Sequence, residues 1–253
     1  RAGSITKLFT ATAVMQLVER GLLDLDKPVK TYLPEFSFKT RIPDAPAITI
    51  RHLLTHHSGL PANIPLGMWS TNPQPYATVL HDLKTRYVLY PPNHIFSYSN
   101  LGMTVLGEVI ERLSGEPYAK YVSRAIFDRI GMTTASIETG VTTSPLMAHA
   151  YNKGKEEPEL SLRDIPAGGL NASVLDLARF VQMIFAQGRS DDHYIVKPET
   201  LTMMLTPQNH DVPLDLDFKM GLGWMLSGFG ELQRHNVGTV ASHGGGTFHF
   251  ISQ

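Results

Sequence analysis

A serine and a lysine stand three residues apart in the opening stretch RAGSITKLFT. Residues i and i+3 are neighbours on one face of a helix, so the hydroxyl of Ser4 falls within reach of the amine of Lys7. A hydroxyl is a poor nucleophile at neutral pH and needs a base, which a neutral amine supplies. Burial lowers the pKa of a lysine, because the charged form is costly to desolvate. The alternative interpretation is a helix-capping serine beside a solvated lysine.

A second group suited to proton transfer occurs in Tyr98-Ser99-Asn100, directly before a strongly periodic helix. A phenol has a pKa of about 10, so it acts as a base only near a cation. If Lys7 is that cation, Tyr98 takes the proton of Ser4; if Lys7 is neutral, Lys7 takes it. The sequence leaves this choice open, and a coupled pair can share the role. Tyr98 is also explained as a packed aromatic, and Asn100 as a helix cap.

The third motif is His243-Gly244-Gly245-Gly246, in the late stretch VASHGGGTFHF. Glycines in a strand let another backbone approach closely, which predicts an edge strand against which a substrate lies. A glycine-rich bulge or turn is the alternative.

The elements that must position these motifs follow from apolar periodicity and capping residues. Predicted helices are residues 5–19 with a stop at Gly21, 50 to about 59 with Thr49 as cap, 100–114 with a stop at Gly115, 117 to about 129, and 174–187 with a Ser173 and Asp176 start and a stop at Gly188. Residues 60–97 are predicted as irregular structure with short helices, and 133–168 as strand-like and loop-like pieces. Strands are predicted late, in MGLGWML and VASHGGGTFHF. This order favours a sheet domain with a helical insertion.

Length and composition exclude several classes of protein. A chain of 253 residues can bury a substantial hydrophobic core without stabilising cross-links. One domain, or one domain with an inserted subdomain, is therefore the natural expectation. Acidic and basic residues nearly cancel, at 23 against 22, so a nucleic-acid partner is not indicated. The chain has no cysteine, which excludes disulfides and thiol catalysis. We expect it to be cut from a longer protein at both ends, since it begins without Met almost at a helix and stops in a predicted strand.

Taken in order, these motifs resemble the penicillin-recognising serine hydrolases: class C β-lactamases, D-alanyl-D-alanine carboxypeptidases and related esterases and peptidases. Four longer segments share the resemblance, so that it runs from residue 1 to residue 253: GSITKLFTATAVMQLVERGLLDLDKPV, ITIRHLLTHHSGLP, FSYSNLGMTVLGEVIERLSG and PAGGLNASVLDLARF.

The resemblance implies an α/β (α+β) fold of the β-lactamase/transpeptidase type. In this fold an antiparallel sheet is flanked by helices and carries a mostly helical subdomain. The subdomain is expected at about residues 22–165, and the parts associated with the sheet at about residues 1–21 and 166–253. It implies a single domain over 1–253, with neither metal nor organic cofactor. It also favours a periplasmic or cell-envelope location.

The resemblance also implies roles for the site residues. Ser4 is the nucleophile, Lys7 and Tyr98 move the proton, and Tyr98 later protonates the leaving group. Asn100 gives its amide to Lys7 and to the substrate. The backbone N–H groups of Ser4 and Gly246 form the oxyanion hole, where one such donor is typically worth about 3–4 kcal/mol.

The late motif departs from the lactamase pattern, because His243 stands where many lactamases carry the lysine of Lys-Thr-Gly, and Gly244 replaces the threonine. A histidine has an unperturbed pKa of about 6.5 and is mostly neutral at pH 7, so a substrate carboxylate loses its fixed cation. We therefore expect an esterase or D-amino peptidase-like hydrolase acting on a small ester, amide or lactam, with β-lactamase or D-alanyl-D-alanine carboxypeptidase as the alternative. Trp69 and Tyr76 are predicted to line the pocket.

The sequence also bears on three rival interpretations. A Ser-His-Asp hydrolase of the usual α/β type would carry a Gly-x-Ser-x-Gly elbow, and the chain has none. His52, His56 and His57 suggest a metal site, but they lack the glutamate of His-Glu-x-x-His, so no metal is expected. A non-catalytic binding protein on the same fold would have lost Ser4, Lys7 or Tyr98. The oligomeric state is left open.

Overall fold

A computed structural model of the chain describes residues 1–137, 145–227 and 240–253. Part of the region 133–168, predicted as strand-like and loop-like pieces, therefore lies outside the described residues. The helices run in chain order as α1 Thr6–Glu19, α2 Ile50–Leu54, α3 Thr78–Leu83, α4 Asn100–Ser114, α5 Tyr118–Val122, α6 Asp128–Ile130, α7 Ile165–Gly168, α8 Val174–Phe185 and α9 Pro198–Met204. Short 3-10 turns lie at Val29–Thr31 and Pro213–Asp215, and a π-helical turn at Ser123–Phe127 joins α5 to α6.

The described strands are short and pair in twos, always antiparallel. They are β1 Trp69–Ser70 with β5 Ser161–Leu162, β2 Ser136–Ile137 with β6 Leu170–Asn171, β3 Ala150–Asn152 with β4 Lys155–Glu157, β7 Arg189–Ser190 with β8 His193–Tyr194, and β9 Gly245–Gly246 with β10 Ile251–Ser252. Strands β2 to β5 lie within the region 133–168 that was predicted to carry strand-like pieces, whereas β1 lies in the segment 60–97, which was predicted as irregular structure with short helices.

Local sequence signals set most helix ends. The side chain of Thr49 accepts from the backbone N–H of His52, and Ser173 and Asp176 form the expected capping box. Gly115 closes α4 in the left-handed conformation, as predicted. The helix after Thr49 ends at Leu54 rather than near residue 59, because His56 adopts a left-handed backbone with φ +60°.

The predicted strand MGLGWML is instead a tight turn. Gly223 has φ +82°, and the N–H of Gly221 donates to the carbonyl of Trp224 at 2.8 Å. Among the residues that the structure describes, this stretch takes part only in single bridges, Met220 to Met225 and Met225 to Ser242. The glycines thus serve a reversal of the chain rather than an extended segment.

The core forms where α1 packs against α4 and α7. Helix α1 is apolar on most sides and buries residues around its whole circumference, as expected of an interior helix. Its aromatic Phe9 lies between Phe127 and Phe180, with ring centroids at 5.4 and 4.3 Å. The hydroxyl of Thr10, also on α1, donates to the carbonyl of Pro166 on α7 at 2.7 Å. Helix α1 is therefore held rigidly beside α7, the arrangement that positions the residues described next.

Within the described ranges, no helix combines the length and apolar character needed to cross a membrane.

Candidate active site

Ser4 lies in the turn that leads into α1, at the point where the chain leaves a backbone pairing with β6. The N–H of Ala2 donates to the carbonyl of Leu170 at 2.9 Å, and Gly3 forms a single antiparallel bridge to Leu170. The turn then brings the half-buried Ser4 beside the first turn of α1, where Nζ of Lys7 lies 3.0 Å from Oγ of Ser4. The three-residue spacing thus places the hydroxyl and the amine in hydrogen-bond contact.

Lys7 is fully buried, which decides its charge. Its Nζ donates to the carbonyl of Ala167 on α7 at 2.6 Å. Burial lowers the pKa of Lys7 well below the usual range of a lysine, and the nearby carboxylate of Asp164 opposes this only in part. Asp164 is itself engaged by buried Arg163, whose Nε lies 2.6 Å from Oδ1. The amine of Lys7 is therefore suited to be neutral and to accept a proton.

Tyr98 lies over the same pair of groups. Nζ of Lys7 is 4.8 Å from the centroid of the Tyr98 ring. Burial raises the pKa of Tyr98 to about 12, although the interaction with the Ser4 side chain lowers it in part. The structure thus brings together the hydroxyl, the amine and the phenol, which lie up to 94 residues apart in sequence. A phenol with a raised pKa carries its proton at neutral pH, so it can donate that proton but is not available as a base.

Asn100 makes a different contact from the one that the resemblance implied. Its Nδ2 donates to Oδ1 of Asn63 at 2.7 Å, whereas the hydrogen bonds of Nζ of Lys7 go to Ser4 and Ala167. Asn100 is the first residue of α4 and not its cap; Ser99 holds that place, and its hydroxyl accepts from the N–H of Gly102 at 3.0 Å. The backbone N–H of Asn100 binds the carbonyl of Ala62, which draws its side chain toward the neighbouring Asn63.

His243 is buried beside Tyr98, just before β9 rather than within it. Its ring centroid is 6.1 Å from that of Tyr98, and its Nδ1 contacts the carbonyl of Gly244 at 2.7 Å. Burial and the proximity of Lys7 lower the pKa of His243 to about 4, while the contact with Gly244 opposes this. His243 is therefore neutral at pH 7, and the site receives no fixed positive charge from it.

Gly246 brings its backbone against the residue that precedes Ser4. A Cβ placed on Gly3 would lie 2.7 Å from the nitrogen of Gly246. In the turn between β9 and β10, the N–H of Thr247 donates to the carbonyl of Phe250 at 2.9 Å. Bonded and non-bonded pairs alternate along an antiparallel ladder, so Gly246 faces Ile251 in a non-hydrogen-bonded pair and its N–H points away from β10. That N–H is therefore free to face the site.

The two aromatic residues predicted to line the pocket separate in the structure. Trp69 in β1 packs on Phe248, in the turn after Gly246, with ring centroids 4.9 Å apart. Tyr76 is buried in the core beside Tyr118, at 6.4 Å between centroids, so it is not a pocket residue. The sequence does not distinguish the two, because both belong to the same irregular segment.

The three histidines of the segment RHLLTHH have different hydrogen-bond partners. Nδ1 of His52 accepts from the N–H of Thr49, and Nδ1 of His56 accepts from the N–H of Ser99. Nε2 of His57 contacts Oδ2 of Asp215 at 2.7 Å. Of these, His56 packs against the ring of Tyr98 with centroids 4.5 Å apart, a contact that no pattern in the sequence indicates.

Comparisons with known proteins identify the family of the chain. A family model described as Beta-lactamase matches residues 1–252. Esterase EstB of Burkholderia gladioli is 34% identical over 177 residues, which cover 65% of this chain and 44% of that protein. The chain spans about half the length of the relatives that it matches.

Solved structures confirm the predicted β-lactamase/transpeptidase-like fold. A D-stereospecific amidohydrolase from Streptomyces sp. superposes with a TM-score of 0.77 at 26% identity, covering 98% of this chain and 75% of that one. A β-lactamase/D-alanine carboxypeptidase from Yersinia pestis gives a TM-score of 0.75 at 23% identity, covering 99% and 72%.

Proposed function

This chain belongs to the Beta-lactamase family, and from that membership we propose that it is a serine hydrolase of the class C-like group that acts through a covalent acyl-enzyme. The observation that carries the proposal is the hydrogen bond between Ser4 and the fully buried Lys7, whose pKa burial lowers well below its usual range. A neutral amine in contact with a hydroxyl is the arrangement that activates a serine nucleophile.

Acylation begins when Oγ of Ser4 attacks the carbonyl carbon of the substrate, while its proton passes to Nζ of Lys7. The negative charge on the carbonyl oxygen is held by the backbone N–H groups of Ser4 and Gly246. When the tetrahedral intermediate collapses, the bond to the leaving group breaks and the phenol of Tyr98 protonates that group. The phenolate is reprotonated from the ammonium of Lys7. The raised pKa of Tyr98 and the lowered pKa of Lys7 support this division of roles.

Deacylation repeats the same proton transfers with water as the nucleophile. Water attacks the acyl carbon and gives its proton to Lys7, and the oxyanion is again held by the two N–H groups. Collapse releases the acid, and Oγ of Ser4, now the leaving group, takes a proton from Tyr98. The ammonium of Lys7 then reprotonates Tyr98. Asn100 acts in this scheme through its amide pair with Asn63, orienting the substrate rather than Lys7.

We propose an uncharged ester as the preferred substrate. The neutral state of His243 supports this, because a carboxylate on a β-lactam or on a peptide C-terminus would gain no charge partner there. The likeness to esterase EstB points the same way. A D-amino peptidase-like activity is the second candidate, favoured by the likeness to the D-stereospecific amidohydrolase. β-Lactam hydrolysis, D-alanyl-D-alanine carboxypeptidase activity and a purely binding role are the remaining alternatives.

The test compares three substrates on the full-length protein: a short-chain nitrophenyl ester, a chromogenic cephalosporin and a D-alanyl peptide. We expect the ester to give the highest kcat/KM and a fluorophosphonate probe to label Ser4. The S4A variant serves as the control and should lose both labelling and turnover. A folded protein that stays unlabelled, or full activity in S4A, would overturn the acyl-enzyme; a dominant cephalosporin rate would overturn the substrate preference.

A further inference from the structure

We propose that His56 is a positioning residue that holds the phenol of Tyr98 in place against Ser4 and Lys7. The inference rests on the proposed function, in which Tyr98 protonates the leaving group. It concerns a histidine that the sequence singled out only as part of a rejected metal site.

His56 contacts the chain on both sides of Tyr98 as well as the ring itself. Its carbonyl accepts from the N–H of Ser97 at 2.9 Å, and its Nδ1 accepts from the N–H of Ser99 at 3.2 Å. The imidazole packs against the phenol in a tilted arrangement, with centroids 4.5 Å apart and planes inclined by 38°. One residue therefore constrains the backbone before and after Tyr98 and the direction of its ring.

The contact with Ser99 also assigns the tautomer of His56. Because Nδ1 accepts a hydrogen bond, the ring proton lies on Nε2. Burial lowers the pKa of His56 well below its usual value. A charged imidazole would have lost the acceptor at Nδ1, so the neutral state is the one that can hold Ser99.

The backbone around His56 is itself strongly constrained. His56 has φ +60°, a left-handed conformation that is uncommon for a residue other than glycine. Such conformations persist only where the surroundings enforce them, and they concentrate at functional sites. The turn lets the two successive imidazoles face different partners: the ring of His56 accepts from the N–H of Ser99, while the ring of His57 contacts Asp215.

Asp215 completes the support of the tyrosine segment. Its Oδ2 lies 2.7 Å from Nε2 of His57, and its Oδ1 accepts from the N–H of Phe96 at 2.6 Å. The side chains of His57 and Asp215 are both 1% exposed. Residues 96–99 are thus held at Phe96, Ser97 and Ser99, and His56 makes the last two of these contacts as well as a ring contact with the phenol.

The test measures catalysis and the titration of Tyr98 in H56A, H56N and H52N. In H56A, which loses the acceptor and the ring, we expect kcat to fall by about 10- to 100-fold with KM within about threefold, since a misplacement of about 1 Å costs on that order. In H56N the side-chain oxygen replaces Nδ1 as acceptor and Asn tolerates the left-handed backbone, so part of the loss should be recovered. H52N is the matched control, because His52 also accepts through Nδ1 but contacts Thr49 instead, and it should behave as wild type.

A second readout does not depend on turnover. With 13C-labelled tyrosine, the Tyr98 resonance, assigned by its loss in Y98F, should titrate with a pKa of about 12 in the wild type. In H56A its pKa should fall toward the ordinary phenol value, because the loosened ring gains water. If H56A does not fold, H56N decides: a kcat at least about threefold below wild type with a lowered Tyr98 pKa supports the proposal.

Wild-type kcat together with wild-type titration of Tyr98 in folded H56A, or in H56N where H56A does not fold, would overturn the positioning role. An equal loss in H52N would overturn it as well. These outcomes are distinct from failure of the proposed function, which appears in the wild type itself as absence of Ser4 labelling.

Discussion

Replacement of Gly3 by alanine tests the oxyanion geometry directly. Gly3 precedes Ser4 and has φ +52°, and a Cβ there would lie 2.7 Å from the nitrogen and 2.9 Å from the oxygen of Gly246. Both are backbone atoms, so the contact cannot be relieved by a side-chain rotation. In G3A the segment carrying the N–H of Gly246 must move away from Ser4.

The expected magnitudes separate stability from catalysis. An alanine in the left-handed region costs about 1–2 kcal/mol, and the less flexible unfolded chain returns about 0.4–1 kcal/mol. The free energy of unfolding should therefore fall by about 1 kcal/mol from the backbone alone. Loss of one oxyanion donor lowers kcat by about 10²- to 10³-fold. The catalytic defect should thus far exceed what a slightly less stable protein would show.

Gly21 provides the matched control at the other end of α1. It has φ +69°, and a Cβ placed on it would meet nothing within 4 Å. G21A therefore bears the same backbone cost without the contact. We expect it to lose about 1 kcal/mol of stability and to keep its kcat.

The assay is steady-state hydrolysis of a nitrophenyl ester, with urea unfolding of each variant as the measure of stability. We expect G3A to lose kcat with little change in KM, because the oxyanion hole binds the transition state more tightly than the substrate. A folded G3A that keeps kcat within about threefold of G21A would refute the assignment of Gly246 as an oxyanion donor.

Three further predictions concern charge in the interior. K7M should lower kcat by about 10²- to 10⁴-fold in ester hydrolysis, and wild-type kcat/KM should rise with pH as Lys7 loses its proton, well below the usual range of a lysine. Since the pKa of His243 is about 4 when folded and about 6.5 when unfolded, the unfolded chain binds the extra proton between these values. Stability measured by urea should therefore fall on acidification from pH 6.5 toward 4, and less steeply in H243N. R163M should cost about 3–5 kcal/mol of unfolding free energy, because it leaves the buried carboxylate of Asp164 unpaired.

Each of these expectations has a contrary outcome. Near-normal turnover in K7M would remove Lys7 as the base. Equal acid sensitivity of H243N and wild type would mean that His243 is not held neutral. For R163M the matched control is R112M, which breaks the exposed pair with Glu35 and should cost less than about 1 kcal/mol; equal losses in the two variants would contradict the buried pairing of Arg163.

Local patterns in the chain were enough to predict several elements. The capping box at Ser173 and Asp176, the Thr49 cap and the stop at Gly115 involve groups within a few residues of each other, so a short window of sequence contains all the partners. The contact between Ser4 and Lys7 is of the same kind. The predicted strand MGLGWML was wrong because glycine and aromatic content does not distinguish a strand from a turn built on Gly223.

The partner of Asn100 was beyond such patterns. The resemblance implied Lys7, whereas the amide binds Asn63, brought beside it by the backbone contact of Asn100 with Ala62. The same holds for His56, whose segment is recognisable but whose contact with Tyr98 joins residues 42 positions apart. Hydrogen-bonding groups are visible in a sequence, but their choice among distant partners is not.

The sequence by itself therefore determined which groups are available for chemistry, the spacing of Ser4 and Lys7, and the family through the order of its motifs. Only the tertiary structure decided their state and direction: the lowered pKa of the buried Lys7 beside Ala167, the neutral His243, and the N–H of Gly246 against Gly3. The physical reason is that a pKa and an oxyanion site depend on burial and on backbone approach. Both arise from packing between segments up to about 240 residues apart, which no local pattern encodes.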